Sequence, residues 1–135
     1  MDTLTQAQRS ERMSRVRSKN TRPELIVRRL IRTLGFRFRT YGKHLPGKPD
    51  VFFPTRKLAI FVHGCFWHRH GTRCRLTRLP KSRLDYWIPK LERNRRRDIA
   101  EHRKLRKAGW RTLVIWECQL KESDKIERRL TAFLA

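Results

Sequence analysis

The sequence predicts an α/β fold in which a small mixed central sheet is flanked by helices, and three observations lead there. Helix-like and strand-like periodicities follow one another in the order helix, three strands, helix, strand, helix. The stretch Leu58-Ala59-Ile60-Phe61-Val62 is apolar without a break, which marks a central strand covered on both faces. At 135 residues the chain has room for about one hydrophobic core.

Taken in order, residues 1–20 are polar and basic, with Arg9, Arg12, Arg15, Arg17 and Lys19, and are expected to form an arm that orders on nucleic acid. Residues 21–135 are the folded domain. Thr21 is placed to cap a helix, and Glu24, three residues on, to close a capping box. Leu25, Ile26, Leu30, Ile31 and Leu34 give that helix a stripe expected to face the sheet, with its arginines facing out, before Gly35 ends it. Phe36, Phe38 and Thr40 alternate with Arg37 and Arg39, as in a short half-buried strand. Residues 41–49 hold Gly42, Pro46, Gly47 and Pro49 and form a loop that delivers Asp50. Val51-Phe52-Phe53 and residues 58–62 are then the arms of a hairpin turning through Pro54-Thr55-Arg56-Lys57, which brings Asp50 and His63 to one end. Residues 64–82 follow neither periodicity and need an internal staple. Trp87, Leu91, Ile99 and Leu105 allow a helix reaching Ala108, interrupted or offset near Pro89 and ended by Gly109. Residues 112–116 read as another buried strand, and Ile126, Leu130 and Phe133 as a short terminal helix.

Composition points to a partner. The 35 Lys and Arg outnumber the 12 Asp and Glu, and a formal charge of +23 attracts phosphate backbones in a salt-dependent way. Four tryptophans and a hydrophobic fraction of 38% argue against disorder. No apolar run approaches the roughly 20 residues a bilayer requires, and no apolar segment follows a basic N-terminal region, so a soluble, intracellular protein without a membrane role is expected. Three cysteines at irregular spacing disfavour a disulfide framework.

Three of the five histidines and two of the three cysteines lie between Asp50 and Cys74. Cys65, His70 and Cys74 stand at spacings of five and four, with Cys118 following the last strand. Three thiolates and an imidazole have the number and softness for tetrahedral zinc, and a closed set of four is structural. On spacing alone His68 can replace His70, and a plain buried thiol is the alternative for Cys118. Asp50 can hold magnesium, and His63 or His68 can take a proton from water attacking a phosphodiester. The blander readings are a turn carboxylate and a strand-end histidine. Asp98 follows Arg95-Arg96-Arg97, so it either pairs with an arginine or orients a histidine. Arg95 and Arg97 are candidates for phosphate contacts, and Asn94 for a hydrogen bond near the site. Phe66 and Trp67 either pack over the zinc or enter a base stack as a wedge, which gives a physical route to lesion selectivity.

Leu45-Pro46-Gly47-Lys48-Pro49-Asp50, Phe61-Val62-His63-Gly64-Cys65-Phe66-Trp67-His68, Asn94 with Arg97-Asp98, and Gly109-Trp110 followed by Trp116-Glu117-Cys118 closely resemble the very-short-patch repair (Vsr) endonucleases, from about Arg9 to Leu130. The resemblance implies a restriction-endonuclease-like fold with a structural zinc. It also implies magnesium-dependent nicking beside the thymine of a T:G mismatch left by deaminated 5-methylcytosine. On this sequence it implies Asp50 as the metal-binding catalytic aspartate, His68 as general base, His63 and Asp98 as its partners, and Glu24 as an acid near the metals. Cys65, His70, Cys74 and Cys118 match the zinc set, and Phe66, Trp67 and Trp87 the intercalating aromatics. The basic arm, with Arg12, Arg15 and Lys19, matches one that clasps double-stranded DNA. A bacterial, cytoplasmic, nucleoid-associated monomer is the implied setting. Val62 stands where a well-known member has threonine, and the lysine of the restriction-enzyme signature has no counterpart, His63 being nearest. The rival reading is a catalytically silent, zinc-stapled DNA-binding module.

Overall fold

The computed structural model describes residues 21–71 and 74–135. The basic segment that holds Arg12, Arg15 and Lys19 lies outside them. Thr21 is extended and accepts the Glu24 amide at 3.4 Å, which caps helix α1 (Arg22–Thr33). The buried face of α1 is Glu24, Val27, Arg28 and Ile31, an i, i+3, i+4, i+7 set, while Leu25 is 50% exposed. The expectation that all the arginines face out is therefore wrong at Arg28. Val27 and Ile31 centre the buried stripe, and Glu24 and Arg28 share it because each neutralises the other. Gly35, at φ +88°, supplies the left-handed residue after the helix.

The strand expected from Phe36 shortens to β1 (Arg39–Thr40), although the alternation survives because Phe36 and Phe38 pack against the core. Its partner β2 (Val51–Phe53) has only three residues to offer. Antiparallel to β2 runs β3 (Leu58–His63), which in turn pairs in parallel with β4 (Arg111–Trp116), so the sheet order is β1-β2-β3-β4. Pairing on both edges explains why every residue of β3 is buried. Leu58, Ile60 and Val62 face a core built with Val27 and Ile31 of α1 and with Ile126, Leu130, Phe133 and Leu134 of the terminal helix α4 (Ser123–Leu134). Ala59 and Phe61 point to the opposite face, where Leu105 covers them from helix α3 (Leu84–Lys107). By the same alternation His63 is directed toward α3.

Residues 64–82 contain two short elements that periodicity did not reveal, the single turn α2 (Cys65–His68) and a 3-10 turn (Arg75–Thr77). Helix α3 is continuous across Pro89, contrary to the expected interruption. Pro89 sits in the second turn, where the missing N–H releases only the Asp85 carbonyl, and both residues are exposed to solvent. Ile99 does not belong to the buried stripe and is 47% exposed. Among the described residues no helix is long and apolar enough to cross a membrane.

Pro89→Ala restores a helical donor without removing a buried contact, so it is expected to raise the unfolding free energy by about 1–3 kcal/mol. Urea unfolding reads this directly, and a midpoint that stays put or falls would mean that the Pro89 ring has a packing role.

Candidate active site

β3 and β4 end together, with His63 opposite Trp116, and a cleft of about 860 Å³ opens there. Glu24, Asp50, Asp98, Glu101 and Glu117 line it, five of only 12 acidic residues in a chain of charge +23. In so cationic a chain, this gathering of carboxylates makes the cleft a candidate site for a cation.

On one wall, β2 begins only at Val51, so β3 runs on past its partner. The Asp50 side chain takes the place of the missing backbone acceptor, and its Oδ2 receives the Val62 amide at 2.7 Å. Burial first, and then the neighbouring Glu24 carboxylate, push Asp50 from an ordinary 3.8 to about 7, against the Val62 amide and Arg28, which hold it down. Arg28 Nη2 stands 3.1 Å from Glu24 Oε2, with both side chains buried. The guanidinium also lies 5.0 Å from the centre of the Tyr41 ring.

On the opposite wall, His68 Nδ1 is hydrogen-bonded to Asp98 Oδ2. In the neutral ring the proton then sits on Nδ1, leaving Nε2 as the acceptor. His63 stacks on His68 at 3.9 Å with the planes only 9° apart. Ligand atoms of His63, His68 and Asp98 lie within 4.8 Å of one another, so these three could also hold a metal ion. Burial, then His68 and His102, lower His63 to about 2, so its ring is neutral near pH 7.

Beyond the strand ends, Cys65, His70, Cys74 and Cys118 offer ligand atoms that all lie within 4.8 Å of one another. The register that sets His63 against Trp116 continues two residues on, where the Cys118 amide reaches Cys65 Sγ at 3.4 Å. His70 Nδ1 stands 3.6 Å from Cys65 Sγ and 3.3 Å from Cys118 Sγ. Zinc bonds of about 2.3 Å to sulfur and 2.0 Å to nitrogen give a tetrahedral edge of about 3.5 Å, which these separations match. Burial lowers His70 and so favours the neutral ring a metal needs, and Trp116 stacks on it at 4.3 Å. Burial also pushes the Cys65 and Cys118 thiols up, so ionising them calls for a cation. The choice that spacing left open falls to His70, since His68 faces Asp98.

Trp67 and Trp87 are buried edge to face at 5.9 Å, with Phe66 half-buried against both. Phe66 and Trp67 reach the cleft lining. Arg97 lines the cleft too, and its Nη2 donates to Asn94 Oδ1 at 3.2 Å, so Asn94 is a buried brace for that arginine rather than part of the lining. Arg95 lies exposed on α3, 3.8 Å from Glu92.

A family model described as DNA mismatch endonuclease Vsr matches residues 1–75, more than half of the chain. The chain belongs to the Vsr family. The type II nicking enzyme V.XorIIP of Xanthomonas oryzae pv. oryzae is 53% identical over 98% of this chain and 96% of its own length. V.NmeAIP, a type II nicking enzyme of Neisseria meningitidis, is 40% identical over 96% of this chain and 91% of its own. The DNA mismatch endonuclease Vsr of Escherichia coli strain K12 is 35% identical over 93% and 79%. This Vsr-family chain is a DNA endonuclease of restriction-endonuclease-like fold, which sets aside the silent binding module.

Four side chains of this Vsr site escaped sequence reasoning. Arg28 follows Glu24 by four residues, while Glu101 and His102 follow Asp98 by three and four, spacings that put each on the helix face of a residue already suspected. Glu117 lines the cleft directly after β4. Arg28, Glu101 and His102 thus had a signal in their distance from a neighbour, while Glu117 had none beyond its place between Trp116 and Cys118.

Cys118→Ala is expected to lower the metal content of the purified protein and the thermal midpoint by roughly 5 °C or more. Unchanged metal stoichiometry in the purified variant would remove Cys118 from the cluster. Asp50→Asn should raise the metal-free midpoint at pH 8, because the folded chain disfavours an ionised Asp50 and loses stability as pH climbs from 3.8 to about 7. The advantage should shrink toward pH 4, and equal midpoints at pH 8 would show that the acid pair carries no strain.

Proposed function

We propose that this endonuclease uses magnesium to nick one strand beside the thymine of a T:G mismatch left by deaminated 5-methylcytosine, the opening cut of very-short-patch repair. The observation that carries the reading is the pairing, across one cleft, of the Asp50–Glu24 carboxylates with the His68–Asp98 dyad. Oxygen-only donors suit a hard cation, which would take the place of the proton in the side-chain hydrogen bond between Asp50 and Glu24. Magnesium, when bound by Asp50 and Glu24, neutralises charge on the scissile phosphate and polarises it. Zinc fits the sulfur cluster as a closed, structural ion.

His68 Nε2 accepts a proton from the attacking water as the new O–P bond forms. Asp98 stabilises the resulting imidazolium, and the bond from phosphorus to the departing deoxyribose oxygen breaks. His63 keeps the His68 ring from turning by stacking on it. Arg95 and Arg97, with Arg12, Arg15 and Lys19 of the arm formed by residues 1–20, hold phosphates along the duplex. Phe66, Trp67 and Trp87 insert at the mismatch, where a weakened stack lowers the cost of opening. One chain carries one complete set of these groups, so a monomer in the bacterial cytoplasm suffices for a nick.

Short duplexes that are matched or carry T:G, in varied flanking sequence and with or without magnesium, test the proposal. Nicking confined to the T:G strand and dependent on magnesium is expected, and equal cutting of matched duplexes would refute it. Asp50→Ala should lower nicking by at least about 100-fold while DNA affinity and zinc content persist. Full activity in that variant would take Asp50 out of the mechanism.

A further inference from the structure

We propose that Glu101 is a positioning residue whose carboxylate, by accepting the Gly47 amide, sets where Asp50 stands relative to His68. The inference rests on Asp50 and His68 as the two reacting walls of the cleft. Glu101 Oε2 receives the Gly47 N–H at 3.0 Å across 54 residues of sequence, a long-range tie from α3 to the loop that delivers Asp50. That loop is pressed hard against its surroundings. Gly47 adopts φ +75°, and a Cβ there would stand 3.0 Å from the Phe61 ring and 3.3 Å from Glu101 Cβ. Only glycine meets both conditions.

The link from Gly47 to Asp50 is short and stiff. Lys48 is held at φ +48° with its amide on the Leu45 carbonyl at 3.1 Å, and Pro49 is buried with its ring fixing φ. A shift at Gly47 therefore passes to Asp50 with little slack. On α3, Glu101 follows Asp98 by three residues and shares its face, and Asp98 holds His68. One rigid helix thus grips both walls, the base through Asp98 and the metal-binding aspartate through Glu101. Glu101 also has Lys104 Nζ 3.6 Å from its Oε1, an exposed pair with little energetic weight.

Because Glu101 lines the cleft, the competing role is a charged ligand for a cation. Glutamine separates the two, since its carbonyl still accepts the Gly47 N–H but carries no charge. In the full chain, Glu101→Ala is expected to lower kcat on the mismatched duplex by about 10- to 100-fold with KM changed less than about threefold, as for a misplacement near 1 Å. Glu101→Gln should restore kcat to within about fivefold of wild type. In amide NMR spectra the Gly47 and Asp50 resonances should move in Glu101→Ala and hold in Glu101→Gln. The proposal is overturned if Glu101→Gln is as slow as Glu101→Ala, or if Glu101→Ala leaves both resonances and kcat unchanged. Should wild type nick no mismatched duplex, the proposed substrate is wrong, and the two resonances alone decide whether Glu101 places Asp50.

Discussion

The parallel register of β3 and β4, with His63 opposite Trp116, is the constraint from which the rest of the molecule follows. It sets the two strand ends side by side, so that Cys65 and Cys118, two residues beyond each end, meet without any design of the loop between them. It also sends His63 to the α3 side, where His68 and Asp98 await it. A slip of one residue would exchange the two faces of the strand and turn His63 into the aliphatic core. The uninterrupted burial of β3 makes such a slip costly.

Two opposed electrostatic demands share this chain. Its outer surface, including Arg93, Arg95, Arg96, Arg103 and Arg106 along α3, is strongly cationic and suits a phosphate backbone. The cleft must instead hold carboxylates close together in a partly dry setting, which raises Asp50. Arg28 reconciles them from beneath, as a buried cation that balances Glu24 without occupying the cleft itself. An exposed lysine would be screened by solvent and would serve that purpose poorly.

Much of this was legible in the sequence because the signals were periodic or chemically rare. The apolar run of β3 and the hairpin that sets Asp50 by Val62 each had one good physical reading, and the sulfur-rich spacing pointed to a metal while leaving its histidine open. What failed were features decided by pairing in space. Arg28 turned inward because Val27 and Ile31 placed the stripe over it, and a helical wheel centred on Leu25 and Ile26 hid that. Pro89 proved harmless because only a solvent-facing carbonyl lost its donor. Spacing left His68 and His70 open, and it is His70, the ring that the resemblance implied, that faces the cysteines, because α2 turns His68 toward Asp98 and leaves His70 for Trp116 to stack on. Spacing along a chain says little about which way a one-turn helix faces.

That one-turn helix has a further consequence. It starts with Cys65, a member of the sulfur group, and finishes with His68, the ring bonded to Asp98. Loosening the sulfur group would reach the ring at the other end through a single turn of backbone, while the arginines of α3 sit on a separate helix. A damaged copy would therefore go blunt while still clinging to the duplex. For a molecule whose charge draws it to every stretch of chromosome, that is a safe way to fail.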